Sequence, residues 1–325
     1  MPRLQRLVSF TAVGMGIAAA VAAGLAHAQQ KFPTKPVRWV TVGAGSQNDL
    51  VARIVTPKLS EIWGQPVIIE NRPGAGGAFS AATVAKAVPD GYTLLMLSSQ
   101  FSIGLAVHKN APYTFKDFAA VTQVGFSTNA LIVPPSLGPR TVKELIALAH
   151  AKPGQILFSS AGAGSGSHMN GERFKLAAGI KAVHVGFKSS PEATIEIVTG
   201  RVSYCVCPLG PSLPFIKDGR LLALAVVLPQ RSPLLPDVPA MVEAIPGYQR
   251  DGSFGLIAPA GTPRAVIDQI SREVGRVLES PEVKERLLAM GFIPAPTTPE
   301  EFEKIVRADI ETFRKVGKLA GLIAP

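Results

Sequence analysis

Cysteine is nearly absent from this chain of 325 residues, which has only Cys205 and Cys207. So few cysteines exclude a small scaffold held together by disulfides. The two side chains would share one face of a strand, where an oxidising compartment would permit a disulfide. The ring that such a disulfide closes is so small that it strains the backbone. A C-x-C pair without neighbouring histidines is also a poor metal site. We therefore expect two buried free thiols.

Motifs for catalysis are also missing. The sequence contains neither G-x-S-x-G nor H-E-x-x-H, and no Cys/His cluster has the spacing of metal ligands. One of the five histidines lies in the N-terminal segment, which leaves few candidates for acid–base chemistry. We expect a protein that is not an enzyme and that uses no cofactor or metal. A secreted hydrolase or transferase is the alternative, because active sites built from carboxylates leave no short motif.

No apolar run is long enough to cross a membrane. The longest spans residues 8–23, whereas a spanning helix needs about 20 residues. It follows Arg3 and Arg6 and precedes an A-x-A sequence at Ala26–Ala28, which is the pattern of a cleavable secretory signal peptide. We predict that residues 1–28 are removed and that a soluble periplasmic protein begins at Gln29.

Acidic residues are the minority, with 23 against 33 Lys and Arg, which gives a net charge of +10. Removal of the signal peptide takes away two arginines and no acidic residue, and so lowers the net charge to +8. The basic residues are scattered, without a run of like charges and without interleaved aromatic residues, which argues against nucleic-acid binding. A diffuse positive field favours small anionic ligands.

Short apolar runs typical of strands alternate with helical patterns along the chain. The order β-α-β-α-β over residues 37–97 is followed by a second series of the same kind from residue 130. We predict an α/β fold with two lobes, each a mostly parallel sheet flanked by helices. Residues 29–126 plus 251–325 would form lobe 1 and residues 127–250 lobe 2. Ligands bind beyond the carboxyl ends of strands in open α/β sheets, so a hinged cleft between the lobes is the expected site.

Two Gly/Ser loops, residues 43–48 and 159–168, each connect a predicted strand to a predicted helix. Backbone amides at a helix N-terminus favour an anion, so each loop could bind one end of a carboxylate. Asp49 is expected to start a helix rather than to contact an anion. The candidate ligand-binding residues come from the two loops, from the end of a third strand and from two apolar neighbours: Gly43, Ala44, Gly45, Ser46, Gln47, Asn48, Ser98, Ser99, Gly162, Ala163, Gly164, Ser165, Gly166, Ser167, His168, Phe187 and Cys207.

Three segments carry a resemblance to a known family: GSQNDLVAR at residues 45–53, WGQPVIIENRPGAGG at 63–77 and PDGYTLL at 89–95. They resemble the Bug receptors, which are the substrate-binding proteins of tripartite tricarboxylate transporters. The resemblance covers essentially the whole mature chain. It implies a two-lobed Venus flytrap that holds a carboxylate through loop amides, hydroxyls and waters. It also implies a large and a small membrane subunit that accept the ligand.

The chain departs from the family pattern in ways that affect the ligand. The first loop, residues 43–49, looks one residue shorter than usual, and His184–Ser189 differs from the usual His-Val-Pro-Tyr-Lys-Gly. The identity of the organic acid therefore cannot be transferred from a relative. We expect a monomer. A periplasmic sensor subunit that reports ligand occupancy to a membrane signalling protein is the alternative with the same fold.

Overall fold

The computed structural model describes residues 32–74, 77–107, 111–248 and 253–323. The predicted signal peptide lies outside these residues. Strands and helices alternate along most of the described chain. The strands are β1 (Val37–Thr41), β2 (Val67–Asn71), β3 (Thr93–Leu97), β4 (Phe118–Ser127), β5 (Asn129–Val133), β6 (Ile156–Ser160), β7 (Ala182–Gly186), β8 (Cys205–Pro208), β9 (Leu222–Val226), β10 (Phe254–Pro259) and β11 (Phe292–Pro294).

The helices follow most strands directly and end at or near the next strand. No helix of the described residues is long and apolar enough to cross a membrane. The helices are α1 (Gln47–Trp63), α2 (Ala78–Ala85), α3 (Ser99–Val107), α4 (Val142–Ala151), α5 (Gly166–Ala177), α6 (Ser190–Val198), α7 (Leu209–Lys217), α8 (Met241–Ala244), α9 (Arg264–Glu279), α10 (Pro281–Ala289) and α11 (Pro299–Leu319).

The first sheet has six strands in the order β11-β4-β10-β3-β1-β2. The β2-β1-β3 half is parallel, as the β-α-β-α-β pattern predicts. The prediction of a mostly parallel sheet is wrong for the other half, where β10 pairs antiparallel with both β3 and β4, and β11 pairs antiparallel with β4. The reason is chain direction: β10 returns from the second lobe and inserts between β3 and β4 from the opposite end.

The second lobe is also mixed rather than mostly parallel. Strands β8-β5-β9 form an antiparallel sheet, whereas β6 and β7 form a parallel pair. A parallel bridge between Phe158 and Tyr204 joins the two groups. Helices α4 and α5 pack on one side of this lobe, and α6 and α7 pack on the other. The fold is therefore two-lobed α/β, as predicted, with sheets of mixed direction.

Helices cover both faces of the first sheet. Helices α1, α9 and α10 bury one face, and α2, α3 and α11 bury the other. Helix α11 illustrates the pattern, since its buried Phe302, Val306 and Ile310 recur every four residues. The two lobes meet in a small apolar cluster, where Met169 of α5 packs against Ile103 of α3 and α11.

Cys205 and Cys207 are joined by a disulfide, so the prediction of free thiols is wrong. The two Cα atoms lie 5.4 Å apart. A regular strand would separate residues i and i+2 by about 6.6 Å. The shorter separation in this structure lies within the range that disulfides span.

Candidate functional site

The first Gly/Ser loop forms a tight turn between β1 and α1. The amide of Ser46 donates to the carbonyl of Gly43 at 3.1 Å, and Gly45 has a φ of 74°, which a residue with a side chain rarely adopts. The hydroxyl of Ser46 accepts from the amide of Asp49 at 3.3 Å and caps the helix. The amide of Gly45 donates to Oδ2 of Asp49 at 2.9 Å, so the Asp49 carboxylate closes the turn.

The second Gly/Ser loop repeats this turn between β6 and α5. The amide of Ser165 donates to the carbonyl of Gly162 at 3.1 Å, and Gly164 has the same φ of 74°. The hydroxyl of Ser165 accepts from the amide of His168 at 3.2 Å. The amide of Gly164 donates to Nδ1 of His168 at 3.0 Å. The same four-residue sequence, Gly-Ala-Gly-Ser, therefore gives the same turn in both lobes, with Asp49 and His168 in equivalent positions.

Each turn leaves free amides at the start of its helix. The backbone N–H groups of Gln47 and Asn48 in α1, and of Gly166 and Ser167 in α5, have no hydrogen-bond partner within the described residues. Such first-turn amides have no partner inside the helix and carry partial positive charge. Both turns can therefore donate to a carboxylate without a basic side chain.

A cavity of about 180 Å³ lies between the two turns. None of its lining residues is charged, and most carry a hydroxyl or an amide. The first turns of four helices, α1, α3, α5 and α6, contribute to it, and the end of β8 adds a proline. The lining residues are Gln47, Ser98, Ser99, Gln100, Ser127, Asn129, Ala161, Ser165, Gly166, Ser167, Asn170, Ser190, Pro208 and Phe254.

The cavity brings together six of the sequence-predicted site residues from both lobes, namely Gln47, Ser98, Ser99, Ser165, Gly166 and Ser167. The other eleven lie outside its lining, and several of them shape the turns instead. They are Gly43, Ala44, Gly45, Ser46, Asn48, Gly162, Ala163, Gly164, His168, Phe187 and Cys207.

Three of the residues outside the lining have clear structural positions. The side-chain amide of Asn48 donates to the carbonyl of Met96 at 2.7 Å, which ties α1 to β3. Phe187 and Cys207 were predicted as apolar neighbours of the ligand. Cys207 lies in the core of the second lobe, and Phe187 is half-buried and packs against that core. The apolar part of the cavity wall comes from Ala161, Pro208 and Phe254 instead.

The candidate residues leave out eight lining residues, although Gln100 was expected at the cleft rim with Ser98 and Ser99, and Ala161 lies in the predicted loop 159–168. Most of the eight lie where a strand ends. Ser190 starts α6 just after β7, and Pro208 ends β8. The rule that ligands bind beyond carboxyl ends of strands could have identified both. Asn170 follows Ser167 by three residues, a spacing that places both on one face of α5. The full set is Gln100, Ser127, Asn129, Ala161, Asn170, Ser190, Pro208 and Phe254.

Asp49 is ionised, and its carboxylate accepts hydrogen bonds from other residues of the protein. Burial alone would raise its pKa, but hydrogen bonds from Arg53, Asn71 and the amide of Gly45 outweigh burial and hold the pKa below its usual value. The expectation that Asp49 is a helix-start residue is consistent with these contacts. Its charge is paired with that of Arg53, which reduces the repulsion between Asp49 and an anion in the cavity.

His168 is neutral and buried. Burial, followed by the proximity of His184 and Lys175, lowers the pKa of His168 to about 4. Its ring stacks on that of His184, with centroids 3.8 Å apart, and Nε2 of His184 lies 2.6 Å from the hydroxyl of Ser160. Nδ1 of His168 accepts the hydrogen bond from the Gly164 amide, so the ring stabilises the second turn through this bond. Within the described residues, no cluster of His, Cys, Asp and Glu could hold a metal ion.

Two α/β lobes with a polar cavity between their strand-end loops define the class of periplasmic binding proteins. The family model described as "Tripartite tricarboxylate transporter family receptor" matches residues 51–322. The chain belongs to this family, which confirms the resemblance to the Bug receptors. It is a solute-binding receptor and not an enzyme.

Similar proteins cover almost the whole chain. BugT of Bordetella pertussis is 31% identical over 326 residues, covering 99% of this chain and 98% of BugT. Rpa4515 of Rhodopseudomonas palustris, solved with adipate, is 31% identical with a TM-score of 0.77, covering 90% of this chain and 99% of that one. MatC from Rhodopseudomonas palustris, solved with bound malate, is 28% identical with a TM-score of 0.72, covering 88% of this chain and 99% of MatC.

Proposed function

We propose that this receptor binds a small organic carboxylate in the interlobe cavity and delivers it to the large and small membrane subunits of a tripartite tricarboxylate transporter. The observation that carries the proposal is the pair of identical Gly-Ala-Gly-Ser turns, each with two free amides at the start of a helix. The bound adipate of Rpa4515 and the bound malate of MatC support a carboxylate as the ligand class.

The proposal includes where the protein acts and how it is organised. Residues 1–28 would direct export and be cleaved, which releases a periplasmic monomer that starts near Gln29. Residues 29–126 with 251–325 would move as one lobe and residues 127–250 as the other. N-terminal sequencing of the exported protein tests the cleavage. Recovery of membrane-bound protein that still begins at Met1 would contradict it.

The ligand class can be tested by a thermal-shift screen of mono-, di- and tricarboxylates. A ligand that binds only the folded state raises the melting temperature by mass action. We expect a rise with at least one organic acid and none with uncharged analogues such as the corresponding amides. A screen in which no carboxylate raises the melting temperature would contradict the proposed function.

The role of the backbone amides can be tested at Gln47, the first residue of α1. Proline is compatible with this position because Ser46 before it has a ψ of 160°, and proline is favoured at the first helical residue. Gln47→Ala and Gln47→Pro both remove the side chain, but only Gln47→Pro removes the N–H. A hydrogen bond to a charged group contributes about 1.5–3 kcal/mol, so Gln47→Pro should bind the identified ligand at least about tenfold more weakly than Gln47→Ala.

Lys188 provides the control for recognition by an ion pair. It is exposed, its amide donates to Glu192 at 3.0 Å, and it does not line the cavity. Calorimetry should give Lys188→Ala an affinity within about twofold of the unchanged protein, as is usual for an exposed charge. Loss of binding in Lys188→Ala, together with equal affinities for the two Gln47 variants, would show recognition by a basic side chain.

A further inference from the structure

Asn170 is a polar side chain in the cavity wall that nothing in the fold satisfies. It lies on α5, and with Gly166 and Ser167 it forms the face of that helix that lines the cavity. Its exposed fraction is 5%. Within the described part of the chain, its side-chain amide has no hydrogen-bond partner. The amide borders the cavity and is not among the fully enclosed polar groups, so its hydrogen-bond partner comes from the contents of the cavity, a water or a ligand.

Other buried or half-buried asparagines of this protein have structural partners. The amide of Asn48 donates to the carbonyl of Met96, and the amide of Asn71 donates to Thr41 and to Asp49. These bonds hold helices and strands together. Asn170 contributes no such bond, although it is as deeply buried as Asn48.

The chemistry of an amide defines what it can bind. A primary amide is uncharged and offers both a donor and an acceptor, whereas a backbone N–H offers only a donor. Donors alone suit a carboxylate, and the free amides of α1 and α5 already provide them. Asn170 lies on the second turn of α5, beyond those amides, so it faces a different part of a ligand held by its carboxylate.

We propose that Asn170 binds an uncharged polar substituent, a hydroxyl or a carbonyl, on the carbon chain of the carboxylate ligand. This inference rests on the proposed function and narrows it: the receptor selects hydroxy or oxo acids over acids with plain alkyl chains. A site built to bond a hydroxyl discriminates against the analogue that lacks it, because that analogue cannot form the hydrogen bond to the amide.

Matched pairs of acids test the inference by calorimetry. The pairs are malate with succinate and 2-hydroxyadipate with adipate, which differ only in a hydroxyl. The unchanged protein should bind the hydroxy acid of at least one pair about five- to tenfold more tightly, the effect of one neutral hydrogen bond. Asn170→Leu keeps the shape of the side chain without the amide. It should lower the ratio of the two affinities within a pair to about one, because it weakens binding of the hydroxy acid. Asn170→Asp should weaken all four acids, since it adds a negative charge.

A variant on the same helix serves as the control. Leu176 of α5 is 37% exposed and does not line the cavity. Leu176→Ala should therefore leave the ratio of the affinities for the hydroxy acid and its plain analogue unchanged in each pair. The inference is overturned if the hydroxy acids hold no advantage in the unchanged protein, or if Asn170→Leu keeps that advantage. Failure of all four acids to bind also overturns it. The thermal-shift screen then determines separately whether the carboxylate class itself fails.

Discussion

At the scale of single residues, the two turns differ at one position that decides their chemistry. Asp49 and His168 each accept the amide of a glycine four residues earlier, but Asp49 does so as an anion and His168 as a neutral ring. Protonation of Nδ1 of His168 would place a second N–H opposite the N–H of Gly164, and two donors cannot form a hydrogen bond with each other. The second turn is therefore sensitive to acid, whereas the first is not until its carboxylate is protonated.

The lowered pKa of His168 predicts a loss of stability in mild acid. Between its usual value of 6.5 and its value of about 4 in the folded protein, the unfolded chain binds more protons than the folded one. The free energy of unfolding should therefore fall as the pH decreases from 6.5 to 4, by at most about 3 kcal/mol from this residue. Urea unfolding at pH 7, 5.5 and 4.5 measures the effect.

His168→Asn is the matched variant for this experiment. The side-chain oxygen of Asn can accept the Gly164 amide in the place of Nδ1, and it does not titrate. The pH dependence should be shallower in the variant, although His184, whose pKa is also lowered, chiefly by burial, keeps part of it. An identical pH dependence in both proteins would show that His168 is not the group responsible.

At the scale of elements, a close approach of α5 to β6 positions the second turn. A Cβ added at Gly171 would lie 2.3 Å from the ring of Phe158, so only glycine allows this separation. Helix α5 carries Gly166, Ser167 and Asn170 on its cavity face, and a shift of the helix would move all three.

Gly171→Ala should destabilise the protein by about 1–3 kcal/mol through overpacking, and it should weaken ligand binding as well. Gly275 of α9 is the matched control, because a Cβ there meets only Pro296 at 3.6 Å, an ordinary contact. Gly275→Ala should leave stability unchanged or raise it by up to about 1 kcal/mol, since alanine favours helix. Urea unfolding distinguishes the two, and equal effects would contradict the close-packing argument.

Helix starts were predictable from the sequence, but some strands were not. Thr-x-x-Glu is the sequence pattern of a capping box and occurs at residues 141–144 and 298–301. In the structure, the hydroxyls of Thr141 and Thr298 accept the amides of Glu144 and Glu301. Strand β4 was not predicted from the sequence, and its mixture of small, polar and apolar residues lacks a simple alternation. It is a strand because β10 and β11 pair with it on both sides, which no local pattern reveals.

At the scale of the whole molecule, the contact around Met169 joins the lobes. Met169 of α5 has an exposed fraction of 0% and packs with Ile103, Ala106, Phe313 and Val316 of the other lobe. It lies beside Asn170, so the helix that forms the cavity wall also makes the interlobe contact. Opening of the cleft by a hinge motion would expose Met169 without unfolding either lobe.

Thiol accessibility tests whether this contact opens. The native cysteines are joined to each other, so Met169→Cys would introduce one free thiol at the contact. Ala149→Cys is the control, because Ala149 is equally buried but lies within the core of the second lobe. Local opening needs less free energy than global unfolding, so Met169→Cys should react with a thiol reagent at least about tenfold faster. A saturating ligand should slow the reaction of the Met169→Cys thiol. Equal reaction rates for the two variants would contradict opening at this contact.

The sequence by itself determined the two Gly-Ala-Gly-Ser turns, the helix caps and the alternation of strands and helices, because these depend on hydrogen bonds between residues close in the chain. Only the tertiary structure decided which other residues join the loops in lining the cavity, since Ser127, Asn170 and Phe254 meet there from distant segments. The direction of β10 was likewise decided by how the chain returns from the second lobe. Long-range packing and chain path are collective properties, and no local pattern encodes them.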